Sequence, residues 1–361
     1  MGILRLFLAI TVVIAHVGQM PYVNALIGGP QAVQVFFMIS GFYMALVLNE
    51  KYDRAGPFYW ARISKLYSFY FVALAVAIFV AGATGTNHFT AILTGDWDLP
   101  SKTLAVMSNL FIVGSDWILF AYPSPDGLAF TSSFTTQAPR FDEVVYLIPA
   151  WSLPLEMAFY LIAPFVVRRP GALLGLAALS VISRYFTYQF FGAGDPWSYR
   201  FFPSELIFFI IGVGGYYTYR QVRCWRLTPA LGWAGLIWLI ALMVWIGRYA
   251  PISQAVPFSK YGLIFYLSAA CALPFIFAAT KDVKFDRAVG EFSYPIYLVH
   301  IVVVLAFLEP GAPQLNGPTI VAISVLAGMA ITPIGQALHR TMLKTPAIFV
   351  RRRSGIVGAA E

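Results

Sequence analysis

Arg5 and His16 are two ionisable residues inside the first apolar stretch of the chain, eleven positions apart. At about 100° per residue they fall within about 20° of each other on an α-helix, separated by a rise of about 16 Å. An ionisable side chain at membrane depth is a functional-site hypothesis, because burying it in lipid is costly. Neutral imidazole takes protons from hydroxyl groups near pH 7, so His16 is a candidate general base. The alternatives are a packing histidine and an arginine that only sets topology.

Glu156 is a second costly group inside an apolar stretch, and it follows Trp151, Ser152 and Pro154. Proline suits the first turn of a helix, so this motif predicts a helix start. Glu156 then enters the membrane within the first turns and should face the interior of a bundle. The pattern fits either a catalytic carboxylate or an interhelical hydrogen-bond partner.

Tyr297 and His300 lie three residues apart in a later apolar stretch and therefore share one face of the predicted helix. They are candidates for a supporting role in a site. The simpler interpretation is an interfacial aromatic residue beside a packing histidine.

Arg62 and Lys65 stand before the third apolar stretch, three residues apart and on one helix face. Together with Arg5 they form a basic rim that could hold phosphate groups. A phosphate-bearing acyl donor such as acetyl-CoA would suit such a rim. The alternative is a cluster that sets topology or meets anionic lipid.

The composition of the chain requires a membrane setting for these residues. Of 361 residues, 59% are hydrophobic and 11% charged, and the mean hydropathy is +0.74, whereas a soluble domain carries about 25% charged residues. The net charge of +8 comes from clusters between apolar runs, which is typical of topogenic signals and not of nucleic-acid binding. Cys224 and Cys271 give neither a disulfide framework nor a metal-ligand spacing, so no metal is predicted.

The apolar segments set the number of crossings. They are 4–20, 32–49, 66–83, 103–121, 150–167, 171–190, 203–219, 229–247, 260–279, 291–308 and 318–338. Basic clusters that flank membrane helices should be cytoplasmic. The chain has five of them, near 51–65, 168–169, 220–226, 281–287 and 351–353. All five lie on the same side of the membrane only if 103–121 does not cross it. We therefore predict an all-α, polytopic membrane bundle of about ten transmembrane helices plus one re-entrant or half-membrane segment, with both termini cytoplasmic. The bundle is one domain over 1–345, and 346–361 is a basic cytoplasmic tail.

Five short motifs resemble those of the acyltransferase-3 family, which acylates bacterial polysaccharides, lipopolysaccharide and related glycans. They occur in the family's order over almost the whole chain. They are Arg5 with His16; Phe36, Phe37, Ser40, Gly41 and Phe42; Arg62 with Lys65; Trp151, Ser152, Leu153 and Glu156; and Ser293, Tyr294, Tyr297, Leu298 and His300. Two departures matter. Lys65 replaces an arginine and loses bidentate phosphate geometry, and Met157 stands where a second acidic residue often follows Glu156.

The resemblance implies an O-acyltransferase of the bacterial inner membrane. It would move an acyl group, most often acetyl, from cytosolic acyl-CoA to a hydroxyl of an extracytoplasmic glycan or lipid-linked sugar, with no bound cofactor. Arg5, Arg62 and Lys65 would bind the donor, His16 would be the base, and Glu156 would orient His16 or bind the sugar. The residues with supporting roles would be Ser40, Trp151, Ser152, Tyr297 and His300.

Two other classes of protein fit part of the pattern. Intramembrane Arg, His and Glu also line the pathways of ion-coupled transporters and flippases, which carry inverted repeats with broken helices. No such repeat is found in the sequence. A structural subunit of a polysaccharide export complex would need no inward-facing ionisable residues. Thioester hydrolysis or transfer by the purified protein would separate the enzyme from both.

Overall fold

The computed structural model describes residues 1–17, 26–85, 97–124, 126–136, 141–192, 195–253, 256–308 and 315–344, with Asp142 described by its backbone alone. The predicted tail 346–361 lies outside these residues. The helices are α1 Gly2–Val17, α2 Gly29–Glu50, α3 Ala55–Thr84, α4 Leu99–Leu110, α5 Ser152–Val166, α6 Pro170–Phe191, α7 Phe202–Val222, α8 Thr228–Tyr249, α9 Lys260–Thr280, α10 Lys284–Glu291, α11 Ser293–Leu308 and α12 Gly317–Lys344.

Most of these helices have the length and composition of membrane spans. Within the described ranges, eight helical spans are long and apolar enough to cross a membrane, and α1 is a shorter apolar helix. One span, Ile148–Val166, extends α5 by a turn at its start, and another, Lys284–Phe307, joins α10 to α11. The 21-residue α7 carries Glu205 and Arg220 among apolar residues. Together with α1 and α7, the long helices correspond to the ten predicted crossings, so the helical membrane bundle is confirmed.

The α2 helix lies at the centre of the bundle. Its apolar stretch is 89% buried, whereas that of α6 is 11% buried and lies at the periphery. The α2 and α7 helices pack backbone to backbone, because a Cβ at Gly41 would collide with the Phe209 carbonyl, and one at Gly212 with the Met38 carbonyl. Small residues at such crossings let membrane helices approach closely.

The predicted segment 103–121 is not a continuous helix. The α4 helix has 12 residues and is about 18 Å long, which is too short for a hydrocarbon core of about 30 Å. A 3-10 turn at Ser115–Leu119 follows, and then an antiparallel hairpin of β1 Ala121–Ser124 and β2 Gly127–Phe130. Further 3-10 turns at Phe134–Thr136, Phe141–Val144 and Ile148–Trp151 lead into α5.

Asn109, near the end of α4, fixes this segment deep in the bundle. Its Nδ2 donates to the carbonyls of Ala105 and Val144, both at 2.9 Å, and its Oδ1 accepts the Tyr146 N–H at 2.9 Å. The Tyr70 hydroxyl donates to the Asn109 carbonyl at 2.9 Å. Tyr70 is about 22 Å along α3 from Ala55. The α4 helix therefore enters the bundle from the end where α3 finishes and turns back within it, as a re-entrant segment does.

Cysteine labelling tests this topology, and the chain supplies its own reference. Cys224 is exposed and follows α7, at the end of the bundle where Arg62 lies. We expect a cysteine replacing exposed Asp126 to react with an impermeant maleimide in intact cells. Cys224, tested in the protein without the change at position 126, should react only after permeabilisation. Cys271 is changed to alanine in both proteins. Labelling of position 126 from the cytoplasmic side would contradict the topology.

Candidate active site

The α1 helix, which carries Arg5 and His16, is held at its start by α10. The Asp286 carboxylate accepts the N–H groups of Gly2 at 2.7 Å and Ile3 at 2.8 Å. A carboxylate at a helix N-terminus satisfies free N–H groups and complements the helix dipole. The rest of α1 packs against α2 and α11. The height of both ionisable residues in the bundle is therefore fixed.

His16 and His300 meet although they lie on helices far apart in sequence. The ring centroids are 5.0 Å apart, and His300 Nε2 is 3.4 Å from His16 Nδ1. Each Nδ1 lies 2.8 Å from a backbone carbonyl, that of Val12 for His16 and that of Tyr297 for His300. Because a carbonyl can only accept, both Nδ1 atoms carry the proton. His16 Nε2 is then left with a lone pair on an exposed ring, while His300 is fully buried.

Tyr297 joins the histidines to the start of α5. Its hydroxyl donates to the Pro149 carbonyl at 2.6 Å, so Ser152 Oγ, at 2.8 Å, donates to the Tyr297 oxygen. The Tyr297 ring lies 6.0 Å from that of His300. The structure thus brings together the predicted supporting residues Ser152, Tyr297 and His300 beside His16.

Arg200, which the sequence analysis missed, completes this side of the site. Its guanidinium carbon lies 4.4 Å from the centroid of Trp151. Asp195 binds it in bidentate fashion, with Oδ1 2.7 Å from Nε and Oδ2 3.0 Å from NH2. Burial opposes the charge, but the Asp195 carboxylate more than offsets it, so the pKa of Arg200 lies above its usual value. The only signal in the sequence was an Asp and an Arg five residues apart in an aromatic connector.

Glu156 lies with a different set of residues. Its Oε2 accepts the Tyr160 hydroxyl at 2.6 Å, and Ser40 Oγ donates to the Tyr160 oxygen at 3.4 Å. The charges of Arg5 and Arg62 act on Glu156, with no direct ion pair among the described residues. The hydrogen bonds of the His16 ring go to Val12 and His300. In this structure Glu156 therefore contacts the Ser40 side of the bundle and not His16.

The predicted residues thus form two adjoining clusters, which meet on α5 where Ser152 and Glu156 are one helical turn apart. The histidine cluster consists of His16, His300, Tyr297, Ser152, Trp151 and Arg200. The carboxylate cluster consists of Glu156, Tyr160, Ser40, Arg5 and Arg62, and Lys65 stands one turn beyond Arg62 on α3. The two clusters share α1, along which Arg5 and His16 are about 16 Å apart.

The cations of the carboxylate cluster are half-buried. Arg62 keeps a buried Nε without an acceptor in the described part of the chain. Over the same residues, no group of three or more His, Cys, Asp or Glu side chains is placed to hold a metal ion. The chemistry these clusters offer is anion binding at one level and proton removal from a hydroxyl at the other.

Comparisons with known proteins identify the family of the chain. The profile of a family described as an acyltransferase domain, Acyl_transf_3, matches residues 1–335. The chain is similar to the acyltransferase MdmB of Streptomyces mycarofaciens, with 25% identity over 407 residues that cover 99% of this chain and 93% of the relative. No solved structure gives a significant match. The chain belongs to the acyltransferase-3 family, and it is a multi-pass membrane acyltransferase.

Proposed function

We propose that the protein is an O-acyltransferase that takes an acyl group, with acetyl as the first to test, from cytosolic acyl-CoA. The acceptor is a hydroxyl of an extracytoplasmic glycan or lipid-linked sugar, and the enzyme lies in the bacterial inner membrane with both termini cytoplasmic. The observation that carries the proposal is the division of the site into two clusters along α1. One is cationic and faces the predicted cytoplasmic end, and the other holds an exposed imidazole with a free lone pair.

Donor binding belongs to the basic residues of the carboxylate cluster. Arg5, Arg62 and Lys65 would contact the phosphates of acyl-CoA, since charge-assisted hydrogen bonds to phosphate are strong and directional. Glu156 acts on both arginines and would keep them oriented when the donor is absent. The pantetheine arm would then run along α1 toward His16, over a rise of about 16 Å.

Proton removal belongs to the histidine cluster. His16 Nε2 would take the proton of the acceptor hydroxyl while its oxygen attacks the thioester carbonyl. The carbon–sulfur bond breaks, the ester forms, and CoA leaves as a thiolate that receives the proton from His16. The His16 Nδ1–H donates to the Val12 carbonyl at 2.8 Å, which fixes the tautomer that leaves Nε2 free to act as a base, and the His300 ring packs beside it with the centroids 5.0 Å apart.

Acyl transfer by the purified protein tests the proposal. The protein in lipid nanodiscs should release free CoA thiol from acetyl-CoA, and release should rise when de-O-acylated surface glycan of the host is added. Mass spectrometry of the glycan should show a gain of acetyl ester. Matched nanodiscs with His16→Ala protein are the control. Wild-type protein that neither consumes acetyl-CoA nor modifies the glycan would contradict the donor and the acceptor as proposed, and longer acyl-CoA donors would separate the two.

A further inference from the structure

Two nitrogens of the Arg200 guanidinium have a hydrogen-bond acceptor, and the third has none in the described ranges. Nε and NH2 are held by Asp195. NH1 is buried, and no residue in the described ranges accepts a hydrogen bond from it. Buried donors are nearly always paired, so an open nitrogen on a fixed guanidinium needs an explanation. An acceptor oxygen supplied by a ligand is one.

Arg200 lies beside the histidine cluster. Arg200 is stacked on Trp151 at 4.4 Å, and the next residue, Ser152, is hydrogen-bonded to Tyr297 at 2.8 Å. The charge of Arg200 acts on both Tyr297 and His16. An oxygen bound at NH1 would therefore lie next to the histidine cluster.

Arg184 provides a comparison within the same protein, because it is a second buried arginine paired with a carboxylate. The side chains of Arg184 and Arg200 have almost equal exposure, 11% and 12%. Arg184 pairs with Glu205, and its NH1 and NH2 also donate to the carbonyls of Ser198 and Ser204, both at 2.9 Å. Only its Nε lacks an acceptor. The fold thus satisfies both terminal nitrogens of one buried arginine and leaves one terminal nitrogen of the other without an acceptor in the described ranges.

The surroundings of NH1 indicate the chemistry of the ligand. Asp195 already balances the charge of Arg200, so the open N–H suits a neutral oxygen and not a phosphate. Aromatic rings line the same guanidinium, with Phe134 at 5.2 Å and Tyr199 at 5.5 Å beside Trp151. Rings with a few fixed polar donors form a pocket wall that binds a ligand having apolar faces and hydroxyl groups. A sugar ring has both.

We propose that Arg200 NH1 donates a hydrogen bond to a hydroxyl or carbonyl oxygen of the acceptor and so sets which hydroxyl reaches His16. This inference rests on the proposed function and deepens it. Arg200 is an acceptor-binding residue, separate from the cations that would bind the donor. Replacing it should therefore weaken the acceptor and leave the donor unaffected.

Kinetics with two varied substrates test the assignment. In nanodiscs, Arg200→Lys keeps the charge but loses the planar fork, and it should raise the Michaelis constant for de-O-acylated host glycan by about 10- to 100-fold. The constant for acetyl-CoA should stay within twofold. Arg184→Lys, changed at the equally buried pair, should leave both constants unchanged. Asp195→Asn frees the occupied edge and should also raise the glycan constant.

Each outcome decides the question. A folded Arg200→Lys protein with an unchanged glycan constant overturns the proposal. It also fails if both Arg200→Lys and Asp195→Asn lose the folded state in size-exclusion chromatography, because the pair is then structural. Failure of the proposed function looks different, since wild-type protein itself would then transfer no acetyl group to the glycan.

Discussion

Replacing His16 by alanine is expected to lower the turnover number by about 10²- to 10⁴-fold, which is the usual contribution of a positioned general base. The Michaelis constant for acetyl-CoA should change little, because the donor contacts are about 16 Å away along α1. The physical reason is the lone pair on His16 Nε2, which the hydrogen bond from Nδ1 to the Val12 carbonyl leaves exposed. Stopped-flow or steady-state release of CoA thiol at saturating donor measures the effect.

Two variants separate this role from packing. His16→Gln keeps the size and a hydrogen-bond donor but has no basic nitrogen, so it should be as inactive as His16→Ala. His300→Gln replaces the ring nitrogen that faces His16 Nδ1 at 3.4 Å by an amide group and should leave measurable turnover. Near-normal turnover of His16→Gln would end the general-base assignment, and the base would have to be sought at His300.

Replacing Arg62 by alanine should raise the Michaelis constant for acetyl-CoA by about 10- to 100-fold, since a hydrogen bond to a charged group contributes about 1.5–3 kcal/mol. The turnover number at saturating donor should change by much less. Arg62 is half-buried and interacts electrostatically with Glu156. Its buried Nε has no acceptor in the described segments. These features favour an anion site over a merely topogenic arginine.

A donor without phosphates makes the Arg62 test specific. Wild-type protein should prefer acetyl-CoA to acetyl-pantetheine, and Arg62→Ala should lose most of that preference. Arg223→Ala, which removes an exposed arginine just after α7, is the matched control and should keep it. If Arg62→Ala retains the full preference with normal expression, the residue serves topology and not donor binding.

The positions of the membrane spans could be predicted from the sequence because a membrane helix is determined by the hydropathy of its own residues. Charge parity even identified 103–121 as a segment that does not cross, and α4 ends at Leu110 with the chain turning back. The stripe of Arg5 and His16 on α1 followed from helical periodicity alone. These features depend on neighbours in sequence, which is why they could be predicted.

Contacts between distant helices could not be predicted in this way. The pairing of His16 with His300 joins residues separated by 284 positions and depends on how α1 and α11 cross. Glu156 was expected to orient His16 or to bind the sugar, and the sequence could not show that the α5 helix aims it toward Ser40 and Tyr160. Arg200 sits in a connector without periodicity, so only the three-dimensional structure brings it to Trp151.

The cap that Asp286 places on α1 has a consequence for biosynthesis. The α1 helix is made first, yet the carboxylate that accepts the N–H groups of Gly2 and Ile3 is separated from them by more than 280 residues. At about 5–20 residues per second, α1 waits roughly 14 to 57 s for that partner and for His300. During this interval α1 has α2 as a neighbour but lacks the Asp286 carboxylate, and His16 lacks His300. A nascent chain stopped before α10 would therefore hold a first helix whose N-terminal N–H groups lack their carboxylate cap.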